Sequence, residues 1–266
     1  MGRIDTKFEQ LKTDGRKGLI TFITAGDPDL ESTVELMHRL VDSGADLIEL
    51  GVPFSDPMAD GEVIQRASER ALARATTLSD VLNCVVEFRH KDSTTPVVLM
   101  GYLNPYERMG AEAFANSAAE AGVDGTLVVD LPPEEAREFN QALAAHGLAQ
   151  IFLVAPNSDD DRIRTICEYA SGFVYFVSVK GVTGDKAMSA QSVNDRIAAT
   201  RAIANVPVGV GFGIRTPESA RAAAETADAI IVGSAIVEII ESNSAAATEE
   251  VGNFVGSLRQ AIDGNG

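Results

Sequence analysis

Short apolar runs rich in β-branched residues alternate along the chain with longer stretches whose apolar positions recur every three or four residues. The first kind predicts buried strands and the second predicts amphipathic helices. Strands are predicted at Leu19–Thr24, Asp46–Leu50, Pro96–Met100, Gly125–Val129, Gln150–Val154, Phe173–Ser178, Pro207–Gly211 and Ala229–Val232. Helices are predicted at Leu30–Ser43, Val63–Ala73, Leu78–His90, Ala111–Ala121, Pro133–Ala145, Asp159–Ala170, Ala190–Ile203, Pro217–Thr226 and Ala245–Ile262. The strands are near-continuous apolar runs, as expected of parallel strands covered by helices. Eight strand–helix units in 266 residues predict one (β/α)8 TIM barrel over residues 1–266. Extra helices are expected at the N-terminus and after the second and eighth strands. The alternative is an open doubly wound sheet. No GxGxxG follows the first strand, which removes the main sign of a dinucleotide-binding sheet.

Composition changes this picture in a few places. Hydrophobic residues make up 45 %, enough for a sizeable core. No run of eighteen apolar residues suggests a membrane span, and the charged N-terminal stretch lacks an apolar signal core. A cytoplasmic protein is therefore expected. Cys84 and Cys167 fall in helix-like segments without metal-ligand spacing, which fits a reducing compartment. The formal net charge of −17 disfavours nucleic acid and anionic membranes as partners. It also means that any bound phosphate must be held by local donors against the global field.

A barrel delivers its chemistry at the C-terminal ends of its strands. Glu49 interrupts the apolar second strand. Pointing inward, it would have a raised pKa and suit proton transfer near neutrality. An ion-paired structural carboxylate at the rim fits its spacing equally well. Asp60 lies in a long loop rich in Pro, Asp and Gly ahead of a helix. Its spacing favours a turn or helix-start aspartate, although loops this long after barrel strands are often functional. Tyr175 on the sixth strand reads first as core packing. The glycines of Gly181-Val182-Thr183-Gly184 would let the following loop bend around an anion or act as a lid, or simply form a surface loop. Gly211-Phe212-Gly213 after the seventh strand and Gly233-Ser234 after the eighth resemble a phosphate cradle. There a short helix beginning near Ser234 would present free N–H groups to the mouth. His38, His90 and His146 all fall on or at the ends of helices, so histidine catalysis and a metal site are not expected. Lys180 is the one lysine near a strand end, in a loop where its ammonium would be solvated rather than poised for a Schiff base.

The segment Glu49-Leu50-Gly51-Val52-Pro53-Phe54-Ser55-Asp56-Pro57-Met58-Ala59-Asp60-Gly61 resembles the signature of tryptophan synthase alpha subunits. Phe22-Ile23-Thr24-Ala25-Gly26-Asp27-Pro28, Asp130-Leu131-Pro132, Gly181-Val182-Thr183-Gly184, Gly211-Phe212-Gly213-Ile214 and Gly233-Ser234-Ala235-Ile236-Val237 resemble that family in the same order. The resemblance implies retro-aldol cleavage of indole-3-glycerol phosphate to indole and glyceraldehyde 3-phosphate. It implies Glu49 and Asp60 as the catalytic pair, with Tyr175 beside the substrate. It places Thr183, Gly184, Gly211, Gly213, Gly233 and Ser234 around the substrate and its phosphate. It also places Phe22, Met100, Leu127, Leu153 and Phe212 around the indole. Met100 stands where a leucine is expected, and Val179-Lys180 where many relatives carry an arginine and a small residue.

The resemblance further implies a beta-subunit partner, an alpha2-beta2 heterotetramer, and pyridoxal phosphate in the partner only. The loops Gly51–Gly61 and Gly101–Met109 would face that partner. The stretch Gly101-Tyr102-Leu103-Asn104-Pro105 reads as a turn-rich segment with exposed apolar groups. A stand-alone indole-releasing lyase, a different phosphosugar isomerase barrel and a non-catalytic phosphosugar-binding barrel are the competing readings.

Overall fold

Eight parallel strands pair side by side in one closed ring. The structure is a computed structural model that describes residues 2–177, 190–211, 213–242 and 246–264. The strands are β1 (Gly18–Thr24), β2 (Leu47–Gly51), β3 (Val97–Gly101), β4 (Gly125–Val128), β5 (Ala149–Val154), β6 (Val174–Val177), β7 (Val208–Gly211) and β8 (Ala229–Val232). They pair in sequence order, and β1 closes the ring on β8 with Gly18 opposite Ala229. The (β/α)8 expectation therefore holds, and each strand lies within a residue or two of its predicted bounds.

Twelve helices are described: α1 (Arg3–Thr13), α2 (Leu30–Asp42), α3 (Glu62–Ala73), α4 (Leu78–Arg89), α5 (Leu103–Met109), α6 (Ala111–Ala121), α7 (Arg137–Ala145), α8 (Asp160–Tyr169), α9 (Ala190–Ile203), α10 (Pro217–Ala224), α11 (Ser234–Ser242) and α12 (Ala247–Ile262). α1 is the expected N-terminal addition. The pairs α3/α4 and α11/α12 supply the extra helices after β2 and β8. α5 was not expected. Pro105 reads as a turn residue, yet within a first helical turn its missing N–H costs nothing. α7 begins at Arg137 rather than Pro133, because Pro132–Ala136 first makes a tight turn closed by Glu135 N–H to the Pro132 carbonyl.

Alternation along the strands sorts the apolar side chains into two cores. Outward residues such as Ile23, Leu50, Leu99 and Phe176 pack under the helices. Inward residues such as Ile20, Leu47, Val98, Leu127, Ile151, Phe173 and Ile231 fill the barrel. Ile4, Phe8 and Leu11 of α1 seal that inner core from below, with the Phe8 and Phe173 ring centroids 5.9 Å apart. The barrel interior is thus plugged at its N-terminal end and opens at the opposite end.

The strand entrances at the plugged end are stapled by a recurring device. Asp46, Asp124 and Asp228 each precede an even-numbered strand. Each accepts a backbone N–H from the preceding strand: Leu19 at 2.9 Å, Val97 at 2.8 Å and Val208 at 3.0 Å. Each also holds an arginine: Arg259, Arg89 and Arg201 respectively. At β6 the Ser171 hydroxyl takes the same role, accepting from Gln150 N–H at 2.9 Å. These bonds satisfy buried amides that have no ladder partner at the sheet margin.

Candidate active site

At the open end, the uppermost inward side chains leave a cavity of about 510 Å³. Its position follows from the strand period. Phe22, Glu49, Met100, Leu153 and Tyr175 are inward residues towards the open ends of their strands, and all line it. Phe22 lies opposite Glu49 in the β1–β2 register, and Glu49 opposite Val98 in the β2–β3 register.

Glu49 is fully buried, and neither carboxyl oxygen has a hydrogen-bond partner. Burial alone pushes its pKa up to about 8, because nothing nearby replaces the hydration that a carboxylate loses. The free side chain is therefore a neutral acid at pH 7. The rim ion pair weighed from its spacing is not present.

Asp60 ends the β2–α3 loop, one residue before the Gly61 cap of α3. Its side chain does not cap the helix but lines the cavity. Its pKa rises to about 6, chiefly through burial, opposed by a hydrogen bond from Tyr102. The Tyr102 hydroxyl also accepts Ala59 N–H at 3.0 Å, and its ring stacks on Phe54 with centroids 5.3 Å apart. Tyr102 thereby holds the loop at Asp60 and at two points before it, Phe54 and Ala59. It is 3 % exposed, which corrects the expectation of exposed apolar groups at Gly101–Pro105. The signal for it was available: Val98, Met100 and Tyr102 continue the inward period of two along β3.

Two glycines make room for the aromatic walls. A Cβ on Gly51 would stand 2.7 Å from the tip of the Phe22 ring. A Cβ on Gly211 would stand 2.1 Å from the Tyr175 hydroxyl. Each ring occupies the space that any other residue would fill. Burial, then the nearby Glu49 and Asp60, hold the Tyr175 hydroxyl above its ordinary pKa, so it stays a neutral donor.

The far wall is built for an anion. Gly213, Gly233, Ser234 and Ala235 line it. Ile236 and Val237 N–H groups bond to the Gly233 carbonyl, so α11 starts at the cavity edge. The Ser234 and Ala235 amides precede the first helical bond and carry the positive end of the helix dipole. Arg215 also lines this wall, paired with Glu238.

Leu127 does not reach the cavity. It is fully buried one layer lower, and Val129 fills the mouth position on that side. Val63 and Ile64 of α3 add apolar wall that the strand-end search could not find. Gly211 backs the Tyr175 ring rather than the open space. Thr183, Gly184 and Phe212, together with Lys180, lie outside the described residues. Among the described residues, no group of three or more His, Cys, Asp or Glu is placed to hold a metal ion.

Comparison with known proteins gives one consistent match. The family model described as tryptophan synthase alpha chain matches residues 8–263. The tryptophan synthase alpha chain of Burkholderia pseudomallei (strain 1106a) is 57 % identical over 265 residues, covering 99 % of this chain and 98 % of that protein. That of Laribacter hongkongensis is 56 % identical over 263 residues, covering 99 % and 100 %. The crystal structure of tryptophan synthase subunit alpha from Legionella pneumophila str. Paris superposes with a TM-score of 0.93 at 48 % identity, covering 99 % of each chain. A chain of tryptophan synthase from M. tuberculosis in its aminoacrylate-bound form superposes at 0.88 with 35 % identity, covering 98 % and 100 %.

Proposed function

The chain belongs to the tryptophan synthase alpha chain family, and from that premise we propose that Glu49 and Asp60 carry its chemistry in the open-end cavity. Its activity is the retro-aldol cleavage of indole-3-glycerol phosphate to indole and glyceraldehyde 3-phosphate. It is a carbon–carbon lyase acting as the alpha subunit in tryptophan biosynthesis.

The chemistry accounts for two carboxyls of unequal pKa. Indole leaves poorly as a carbanion, so C3 must first be protonated. Glu49, neutral near pH 7, donates that proton. The resulting carboxylate then takes the proton of the adjacent glycerol hydroxyl as the C–C bond breaks, which restores neutral Glu49. Asp60, the lower of the two pKa values, is ionised when Glu49 is not. It accepts the indole N–H and stabilises the positive charge that spreads over the protonated ring.

Phe22, Met100, Leu153 and Val129 enclose the flat ring, and Tyr175 donates to the substrate chain. Gly213, Gly233 and Ser234 hold the phosphate through backbone amides, which serves an acidic protein better than surface charge. The phosphate becomes a handle that fixes the reacting carbon against Glu49. Thr183, Gly184 and Phe212 are assigned to the substrate by family resemblance alone. The observation that carries the reading is the fully buried, unpartnered Glu49 carboxyl opening on the same cavity as Asp60.

The chain works as one domain over residues 1–266, in the cytoplasm, with a beta subunit in an alpha2-beta2 assembly. Met58, 80 % exposed on the β2–α3 loop, supports placing that loop against the partner. Pyridoxal phosphate belongs to the beta subunit, and the alpha reaction draws on no cofactor of its own. No helix among the described residues is long and apolar enough to cross a membrane.

The test is to incubate the pure chain with indole-3-glycerol phosphate and follow indole, with and without a beta subunit. Strong stimulation by the beta subunit is expected. Full activity alone would favour a stand-alone lyase. The absence of indole under both conditions would overturn the assignment.

A further inference from the structure

A second cavity, of about 690 Å³, lies at the plugged end of the barrel, away from the chemistry. It is bounded by α1, the turn into β1, the end of α9 and the entrance to β7. Four cations line it: Lys12, Arg16, Lys17 and Arg201. In a chain of net charge −17 this concentration runs against the global balance. One carboxylate, Asp228, lines the same space.

The two arginines are matched. Arg201 pairs with Asp228 at 2.6 Å and Arg16 with Asp263 at 3.1 Å, with Asp14 also near Arg16. The lysines are not matched. Lys17 donates once, to the Ala227 carbonyl at 2.6 Å, and its other two N–H groups have no acceptor among the described residues. Burial and then the Arg201 charge lower its pKa, and Asp228 offsets this only in part. The Lys12 side chain makes no ion pair or hydrogen bond among the described residues. Lys17 therefore faces the cleft with its charge only partly offset, and the exposed Lys12 side chain faces it without an ion pair among the described residues. Phe8 and Leu11 of α1 and Val206 and Pro207 at the entrance to β7 add apolar lining.

We infer that this cleft binds a small aromatic carboxylate, its carboxylate between Lys12 and Lys17 and its ring against Phe8 and Pro207. Such a ligand would supply the missing acceptors and cover apolar surface in one step. It would also tie α1, which plugs the barrel, to the turn that feeds β7.

The experiment is an amide NMR titration of the full chain with benzoate, with inorganic phosphate as the parallel arm. Saturable shifts are expected at Gly15, Arg16, Asn205 and Val206, with Gly233 and Ser234 unmoved. Each lysine contributes a charge-assisted hydrogen bond, so Lys12→Gln should weaken binding roughly tenfold, and Lys12→Gln/Lys17→Gln should weaken it further. The Lys12 side chain is exposed and has no partner among the described residues, so the single variant should fold as the parent does. Indole release by either variant should be unchanged, which separates this site from the open-end cavity. The proposal is overturned if the shifts do not saturate, if Lys12→Gln binds benzoate as tightly as the parent, or if phosphate binds as well as benzoate.

Discussion

Replacing Tyr102 with phenylalanine removes one hydroxyl from the clamp around Asp60. The ring stays, so stacking on Phe54 at 5.3 Å is kept. Ala59 is exposed and can turn its N–H to water. The loss therefore falls on the carboxylate. The hydroxyl stabilises ionised Asp60, so its removal raises a pKa that already stands at about 6. A hydrogen bond to a charged group contributes about 1.5–3 kcal/mol, and half-burial argues for the lower end. That corresponds to about one pH unit. The acid limb of kcat/KM for indole release should then move from about 6 to about 7. At pH 6 the variant should be roughly fivefold slower than the parent, and near pH 8 almost equal to it. The assay is indole release against pH with the beta subunit present. An unmoved acid limb would refute the argument. So would a uniform fall at every pH, which would mean that Tyr102 places the loop without holding the charge.

Other outcomes follow from the same geometry. Glu49→Gln and Asp60→Asn should each abolish indole release while leaving the circular dichroism spectrum unchanged; normal turnover in either would dismiss the mechanism. Glu49 also gives a stability signature, since its folded pKa of about 8 lies above its ordinary 4.5. Its stabilising contribution is complete below pH 4.5 and is lost as pH rises through 8, at about 1.4 kcal/mol per unit. Glu49→Gln should accordingly gain several kcal/mol relative to the parent between pH 5 and pH 9 in urea titrations; parallel pH profiles would contradict this. Gly211→Ala should force the Tyr175 ring aside, costing about 1–3 kcal/mol of stability and lowering kcat, and an unaltered enzyme would show that the ring has room. Arg70→Leu strips the fully buried Asp27 of its bidentate partner, and should lower urea stability by about 3 kcal/mol.

The fold was legible because parallel strands covered by helices advertise themselves as apolar runs, and eight of them in this length leave little choice. The helix after β3 was hidden by Pro105, whose sequence meaning depends on which helical turn it occupies. Spacing could not decide Glu49, because an inward carboxyl and a rim ion pair share one sequence pattern. The missing partners that separate them are a tertiary fact. Asp60 read as a helix-start residue for a related reason. It does sit beside a helix start, but Tyr102, brought from another strand, turns its side chain to the cavity. Leu127 and Val129 differ by one inward step, and only the barrel's depth tells which reaches the mouth. The lysines of the plugged end lie near residue 15 and meet Arg201 only through ring closure, so no local motif could flag them.

That closure has a cost in time during synthesis. β1 leaves the ribosome first among the strands and β8 last, yet they are neighbours. At about 5–20 residues per second, the free edge of β1 waits roughly 10–40 s for its partner. Throughout that interval the nascent chain presents an unpaired apolar strand. Arg259, which fastens Asp46 beside that strand, arrives later still. Slowing translation near the C-terminus should therefore reduce the soluble yield of this protein more than slowing it near the start.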